Sequence, residues 1–361
     1  MDDQVVLTTD QAMKLAMDEA LKGAPFVSPN PKVGCVILDS RGRLLSKGFH
    51  ARYGQAHAEI EALRGLSSEQ LRGAHLIVTL EPCAHQGKTP SCARHLATLP
   101  LKKVTYGLID PNPLVAGQGA EILQAAGIEV EEYSGPLKPE LEETCEEFLW
   151  NFREKKIFVA LKIAQSLDGK IALKSGESQW ITGPEAREKA HELRAQYDAT
   201  LVGAGTVLVD NPSLTIRHPR IEKTNKVVIL DRRGECLKRS EELKVFQLHT
   251  PENIFVCVQP GLGVKSSRAQ ILEVQDLAET LLALYGRGLR SIMVEGGARV
   301  ASEFVSLGLI QRFHIFTAPF VMGQGLAWSD SVNHVKLTDR KTLRSVRSQL
   351  LGQDLYFTAR D

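Results

Sequence analysis

The sequence predicts an α/β protein in two domains. Short apolar runs of strand character alternate with helical periodicities along the whole chain, the pattern of layered α/β folds. At 361 residues the chain exceeds one ordinary domain. Near residue 155 an acidic amphipathic stretch ending in NFREKK changes abruptly to the apolar IFVALKIAQS, so the domains are expected at 1–155 and 156–361.

In the first half, Thr8, Thr9 and Asp10 offer caps to a helix whose Ala12, Leu15, Ala16 and Met17 recur at helical spacing up to Gly23. VGCVILD and RLLSKGFH read as neighbouring strands after the loop SPNP, and HAEIEAL opens a helix. AHLIVTL is a strand ending at Glu81-Pro82, SCARHLATL a short helix and KVTYGLI a strand. QGAEILQAAG is a helix closed by Gly127, IEVEEY a strand, and PELEETCEEFLWNF one long acidic helix.

In the second half, IFVALKIAQS is a strand running into a turn at Asp168-Gly169, and PEAREKAHELRAQ a helix with proline at its start. ATLVGAG is a strand entering a glycine turn. KVVILDRR, NIFVCV and RSIMVEGG are further strands, with the helix DLAETLLALYGRG between the last two. ARVASEFVSLGL is a helix directly after the double glycine, and QRFHIFTAPFVMG and LYFTAR are closing strands.

Composition excludes several classes. Apolar content of 43% and charged content of 24% are those of a water-soluble globular protein. A net charge of +1 gives no global field toward nucleic acid or a membrane surface, so an anionic substrate must be met by a few placed cations. No apolar run approaches the ~18 residues of a membrane span, and MDDQ lacks the basic start of a signal peptide. The cytoplasm is therefore the expected location. The six cysteines are too sparse for a disulfide framework, and Cys35, Cys145, Cys236 and Cys257 are expected as small buried residues.

The remaining two cysteines carry chemistry. His57 and Glu59 stand one residue apart at a helix start, Cys83 follows Glu81-Pro82 after a strand, and Cys92 opens the next helix. One imidazole and two thiols fill three positions of a tetrahedral zinc, whose fourth position a catalytic site keeps for water. Glu59 is then an unligated carboxylate able to move protons. This is the pattern of zinc deaminases acting on an amino-bearing pyrimidine or purine carbon. Zinc lowers the pKa of bound water toward ~7, and Glu59 would take the proton and return it to the ring nitrogen and the leaving ammonia. Helix N-termini at these turns favour thiolate over thiol.

Common forms of the pattern separate the cysteines by two residues, but here the spacer runs from Ala84 to Ser91. HAE followed by PCAHQGKTPSC resembles the deaminase half of the bifunctional deaminase–reductase family of riboflavin biosynthesis, with Ser91 where a second proline is usual. SPNPKVGCVI and DPNPLVAGQG are similar to the same family. SLDGKIAL, SGESQWITG, LRAQYDA, VGAGTVLVDNPSLTIR and VEGG resemble its reductase half, so the likeness runs nearly end to end.

The resemblance implies a cytidine-deaminase-like three-layer domain followed by a dihydrofolate-reductase-like α/β domain. It implies one zinc ion per chain on His57, Cys83 and Cys92, with Glu59 catalytic, and NADPH as the second cofactor. Asn30, His50, His85, Lys88 and Asn112 would contact the deaminase substrate. Ala164, Trp180, Thr206, Asp210 and the stretch Gly297, Ala298, Arg299, Val300, Ala301, Ser302 and Glu303 would contact NADPH. Lys162, Ser178, Arg194, Leu214, Arg217 and Glu295 would contact the reductase substrate. The expected partner is a small phosphorylated pyrimidine, with no nucleic acid and no membrane, and a homo-oligomer is expected.

The residues themselves speak to parts of this. The two strand–glycine–helix turns, LVGAGTV and IMVEGGARVASEF, suit a diphosphate, although neither is a GxGxxG fingerprint. Arg194 and Arg217 could grip a phosphate with paired donors. Where the family often has a small hydroxyl residue after KVVILD, this chain has Arg232, expected to meet the 2′-phosphate that separates NADP from NAD. Two other readings stay open. A nucleic-acid or nucleoside deaminase with an unrelated C-terminal domain calls for a basic surface, against the near-neutral charge. A non-catalytic zinc-binding protein calls for loss of Glu59 or a fourth protein ligand.

Overall fold

The first helix begins where the sequence caps it. In the computed structural model, which describes residues 5–85, 90–112, 116–330, 332 and 336–361, the Thr8 hydroxyl accepts from the Gln11 N–H while the Gln11 side chain accepts from the Thr8 N–H. Helix α1 (Thr9–Lys22) follows. Then come β1 (Gly34–Leu38), β2 (Leu44–Phe49), α2 (Ala58–Leu63), β3 (His75–Leu80), α3 (Cys92–Leu96) and β4 (Lys103–Leu108). The unit closes with α4 (Gln118–Ala125), β5 (Glu129–Glu132), α5 (Lys138–Thr144) and α6 (Glu146–Glu154). These elements belong to the first of two units into which the chain divides, Met1–Lys155 and Lys156–Asp361.

The first sheet has the order β2-β1-β3-β4-β5. Its β1 runs antiparallel to β2 and β3, whereas β3, β4 and β5 are parallel. Both faces are covered, so the strands alternate between two apolar layers. Cys35, Ile37, Leu76 and Val78 pack with Ala58, Ala62, Leu96 and Leu123 of α2, α3 and α4. Val36, Leu38 and Ile77 pack with Met13, Met17, Leu141 and Leu149 of α1, α5 and α6. The approach of α1 is close: a Cβ on Gly34 would lie 1.9 Å from the Ala16 carbonyl oxygen. Gly34→Ala should therefore cost about 1–3 kcal/mol through forced backbone movement, read as a lowered denaturant midpoint; an unchanged midpoint would contradict the tight packing.

The single acidic helix expected across residues 139–152 is two helices. Cys145 leaves helical geometry at φ −110° and ψ 17°. The break turns its thiol inward to donate to the Lys32 carbonyl at 3.2 Å, next to the Lys32–Glu147 ion pair at 2.8 Å. Periodicity could not reveal a break imposed by a partner more than a hundred residues away.

The second unit opens with β6 (Phe158–Ser166), β7 (Lys170–Leu173), α7 (Pro184–Gln196), β8 (Ala199–Gly203), α8 (Ala204–Asp210) and β9 (Lys226–Leu230). It continues with α9 (Glu235–Lys238), α10 (Lys244–Leu248), β10 (Ile254–Val258), β11 (Gln270–Glu273), α11 (Leu277–Gly286), β12 (Ser291–Val294) and α12 (Ala298–Ser306). It ends with β13 (Arg312–Ala318), β14 (Gly325–Ala327), β15 (Arg344–Leu351) and β16 (Asp354–Arg360). The nine-stranded sheet has the order β11-β10-β9-β8-β12-β6-β13-β16-β15, and β14 pairs with β7. Strands from β11 to β13 are parallel to their neighbours, and the last two are antiparallel. One face packs on α11 and α12 through Leu161, Leu201, Ile292, Leu284 and Phe304. The other carries Val202, Ile229 and Val256 against Val207, Cys236 and Phe246 of α8, α9 and α10.

After β8 the chain moves outward through β9, β10 and β11, then returns to place β12 on the other side of β8. Such a reversal opens a crevice at the carboxyl ends of the strands, where α/β sheets bind ligands. Strands β11 and β15 have no counterpart in the sequence reading, because neither Gln270–Glu273 nor Arg344–Leu351 is an apolar run. All six cysteines are free, and Cys35, Cys145, Cys236 and Cys257 are buried as expected. Among the described residues no helix is long and apolar enough to cross a membrane.

Candidate metal centre and nucleotide cleft

Three turns of the first unit deliver the metal-ligating groups. His57 is the N-cap of α2, Cys83 follows the end of β3, and Cys92 is the first residue of α3. The donor atoms of all three lie within 4.8 Å of one another. His57 Nδ1 is 3.6 Å from Cys83 Sγ and 3.4 Å from Cys92 Sγ, so the same ring nitrogen faces both thiols. The Cys92 backbone N–H donates to Cys83 Sγ at 3.3 Å, as an amide at a helix start does to a thiolate. The Cys92 thiol, helped by His57, draws Cys83 down to about 4, and the same contact pushes Cys92 up. Two sulfurs and one imidazole nitrogen are a donor set that suits zinc, with one tetrahedral position left over.

Glu59 is the second residue of α2, in its first turn, and is 3% exposed. Burial pushes its carboxyl up to about 7, against the pull of His57. A cation on the three donors adds a further downward pull. His50 is buried beside His57, with ring centroids 5.4 Å apart. Its Nδ1 meets the Ala56 carbonyl at 2.9 Å and therefore carries the hydrogen, so Nε2 accepts from Asn30 Nδ2 at 3.1 Å. Burial lowers the His50 pKa and keeps the ring neutral. Asn30 and His50 thus form one oriented pair at the centre. His85 is exposed, and Asn112 is half-buried in a turn closed by its N–H to Asp110 Oδ1 at 2.9 Å. Lys88 lies outside the described residues.

Glu81, which the sequence marks only as the end of a strand, has a further part. It is 4% exposed, and its carboxylate accepts from four backbone N–H groups, those of Asp110, Gly117, Gly119 and Ala120, at 3.4, 3.0, 3.0 and 3.2 Å. Its partners lie 29 to 39 positions along the chain, so no local pattern marks it.

In the second unit a cleft of about 1150 Å³ lies at the carboxyl ends of β8, β9, β10 and β12. Gly203 and Gly205 enter it from β8, Arg232 and Arg233 from β9, and Gly296 and Gly297 from β12. A Cβ on Gly203 would lie 2.8 Å from Val300 Cγ2, and one on Gly296 2.9 Å from Val300 Cβ. Only glycines let the start of α12 come this close to both turns. The Gly297 N–H donates to Thr206 Oγ1 at 3.2 Å, and no side chain of the N-cap residue closes the start of α12. Arg232 donates to the Gln275 carbonyl at 3.1 Å. Glycine turns, an uncapped helix start and arginines on one wall are donors and space that fit a dinucleotide diphosphate.

Of the residues expected at this cleft, Lys162, Ala164, Ser178, Thr206, Asp210, Arg232 and Glu295 line it, with Gly297, Ala298, Arg299, Val300 and Glu303. Helical geometry separates the rest of that stretch. Ala301 is buried in the core, and Ser302 is buried with its hydroxyl donating to the Trp328 carbonyl at 2.7 Å, so both face away from the cleft. Trp180 is outside the lining, 68% exposed, with the Arg187 guanidinium 4.9 Å from its ring. Leu214 is buried with φ +52°, and its carbonyl accepts from Asn225. Arg217 is exposed and uses its backbone N–H on His191.

Arg194 does not stand free for a phosphate. Its Nε and Nη2 hold both oxygens of Glu295 at 2.8 and 2.9 Å, and Nη1 donates to the Thr215 carbonyl at 2.6 Å. Burial opposes the charge on Glu295, but Arg194, Lys162 and His191 outweigh it and hold the carboxyl below its ordinary range. Burial also lowers Lys162, against Glu295. Two of the groups expected around a substrate, Arg194 and Glu295, thus pair with each other.

A deaminase-type metal centre in one unit and a nucleotide-type cleft in the other define a two-site protein of the deaminase–reductase class. Residues 7–108 match the cytidine and deoxycytidylate deaminase zinc-binding region, and residues 157–357 match the RibD C-terminal domain. The chain is 36% identical to the riboflavin biosynthesis protein RibD of Aquifex aeolicus over 350 residues, 95% of this chain and 96% of that protein. It is 37% identical to that of Bacillus amyloliquefaciens over 358 residues, 96% and 95% of the two chains. The solved Acinetobacter baumannii RibD superimposes with a TM-score of 0.86 at 34% identity over 98% of each chain. A Thermotoga maritima diaminohydroxyphosphoribosylaminopyrimidine deaminase/5-amino-6-(5-phosphoribosylamino)uracil reductase gives 0.85 at 38% identity, also over 98% of each chain. The chain belongs to the RibD family of riboflavin biosynthesis proteins. The fold class expected from the sequence holds for both units.

Proposed function

We propose that the chain catalyses two steps of riboflavin biosynthesis. The first unit deaminates 2,5-diamino-6-(5-phosphoribosylamino)pyrimidin-4-one, and the second reduces the ribosyl chain of the product to ribityl with NADPH. The observation that carries this reading is the convergence of His57, Cys83 and Cys92 within 4.8 Å, beside the buried carboxylate of Glu59. Among the described residues no fourth His, Cys, Asp or Glu joins the group, as a structural zinc would want. This weighs against a non-catalytic metal protein.

His57, Cys83 and Cys92 would hold zinc, one ion per chain. Zinc supplies Lewis acidity, by which such centres make water nucleophilic near neutral pH. Glu59 takes one proton from the attacking water. It delivers that proton to the ring nitrogen, then takes the second from the hydroxyl left on the attacked carbon and passes it to the departing amine, so water and the amino-pyrimidine become the keto-pyrimidine and ammonia. Burial suits Glu59 to this work, because it raises the carboxyl against the downward pull of His57 and of a bound cation. The neutral Asn30–His50 pair holds the ring in register with Glu59, while His85, Lys88 and Asn112 meet the rest of the substrate.

In the second unit the turn at Gly297 and the start of α12 cradle the diphosphate of NADPH, with Ala164, Thr206, Asp210, Arg299 and Glu303 on the walls. NADPH supplies the hydride. The chain supplies positioning, the larger part of catalysis in hydride transfer. Lys162, Ser178 and Glu295 face the substrate. Arg194 acts on it through Glu295, which it keeps ionised and oriented.

Arg232, with Arg233 beside it, meets the 2′-phosphate. A hydrogen bond to a charged group contributes ~1.5–3 kcal/mol. Arg232→Ser should therefore lower the preference for NADPH over NADH by roughly tenfold to a hundredfold, read as the ratio of the two dissociation constants by fluorescence quenching. An unchanged ratio rejects the assignment.

The reading as a whole is tested by incubating the protein with the diamino substrate, with and without NADPH, while ammonia and NADPH are followed separately. Ammonia should appear in both incubations, and NADPH should be consumed only after it. NADPH consumption without ammonia would remove the deaminase half.

A further inference from the structure

Pro82 turns the chain from β3 into Cys83, and the residue before it, Glu81, is tied to a distant segment. Its backbone N–H donates to the Leu108 carbonyl at 2.8 Å, continuing the β3–β4 ladder one step past the strand. Its carboxylate then reaches across to the segment that follows β4. One oxygen accepts from Asp110 and Gly117, the other from Gly119 and Ala120. The last two are the N2 and N3 positions of α4, whose own N-cap, Gly117, has no side chain to offer and sits at φ +78°. Glu81 thus caps this helix from outside, where a carboxylate also meets the favourable end of the helix dipole. Gly119 fits the same contact: a Cβ there would lie 2.0 Å from the Pro82 carbonyl oxygen. The segment between Asp110 and Gly117 carries Asn112, whose carbonyl accepts from the Ala116 N–H at 2.9 Å.

We propose that Glu81 is a positioning residue for deamination: its saturated carboxylate locks Asp110 and the start of α4 onto the turn that carries Cys83, and so fixes Asn112, two residues after Asp110, relative to the metal centre. The inference rests on the deaminase reading above, because it assigns the segment a part in holding that substrate. Glu81 touches neither substrate nor reacting atoms. Four donors on two buried oxygens leave it no capacity for proton transfer, and its work is to hold backbone.

Glu81→Gln keeps the shape but replaces one acceptor oxygen by an NH2 group that faces two backbone donors. In the zinc-loaded enzyme it should raise the KM for the diamino substrate at least tenfold and change kcat less. Zinc should remain at one per chain, and turnover of pre-deaminated substrate by the reductase should be unchanged. Glu81→Asp keeps two acceptors on a shorter arm and should recover part of the loss. Gly119→Ala forces the same contact apart from the other side and should reproduce the KM effect if Glu81→Gln fails to fold. Amide exchange of Gly117, Gly119 and Ala120 should quicken at least tenfold in Glu81→Gln, a readout that needs no activity. If the deaminase reading itself fails, the wild type releases no ammonia, and the exchange result still decides the clamp. Unchanged exchange and unchanged KM overturn the proposal, as does a loss confined to kcat and accompanied by loss of zinc.

Discussion

Glu59→Gln is expected to reduce ammonia release by a factor of about 10²–10⁴, the usual contribution of a positioned general acid–base group. The amide has nearly the same volume and occupies a site that is 3% exposed, but it cannot accept a proton from water. Burial is what raises the Glu59 carboxyl to about 7, so a neutral amide removes a desolvation cost and the fold should be no less stable. Zinc content should stay at one per chain, because His57, Cys83 and Cys92 are untouched. Reduction of pre-deaminated substrate should be unaffected. These three readouts separate proton transfer from metal binding. Ammonia release within a few-fold of wild type would remove Glu59 from the mechanism. Zinc loss in Glu59→Gln would instead make it part of the metal's support.

The second large effect is expected at Arg194→Met. The Glu295 carboxylate is paired through both oxygens with a guanidinium, and the two side chains are only 9% and 11% exposed. Removing one partner of a buried ion pair leaves an uncompensated charge and costs about 3–5 kcal/mol. The denaturant midpoint should fall accordingly, and NADPH-dependent reduction should fall with it, since Glu295 lines the cleft. Adding Glu295→Gln to Arg194→Met should restore much of the stability, because a neutral amide needs no counter-charge, but not the reduction. The pH dependence follows in sign. Glu295 is held below its ordinary range in the folded state, chiefly by Arg194 acting against burial. The pair's contribution is thus present above the ordinary carboxylate pKa of about 4.3 and is lost as pH falls through the folded value. In Arg194→Met, with Lys162 and His191 still present, that loss at low pH should shrink. An unchanged midpoint would mean that Glu295 finds another partner.

The first unit was largely readable from the sequence because its chemistry is local. His57 and Glu59 share one turn of helix, and Cys83 and Cys92 flank one loop. Strand and helix alternation fixed the layers, and the capping residues of α1 lie within four positions of each other. What escaped was held by distant partners. Cys145 breaks a helix to reach the carbonyl of Lys32, and Glu81 spends its carboxylate on amides up to 39 positions away. Ala301 and Ser302 show a related limit: a contiguous stretch named from family likeness becomes a helix, and a helix can turn only one face to a cleft.

By itself the sequence determined the layered fold class and which residues could bind metal, since each depends on residue type and spacing along the chain. Only the tertiary structure decided that the turns at Gly203 and Gly296 meet across Val300 at a reversal of strand order. It alone set Arg194 against Glu295, 101 positions apart. The physical reason is the same in both cases. A buried charge or a missing Cβ is defined by what packs against it, and sheet topology chooses that neighbour.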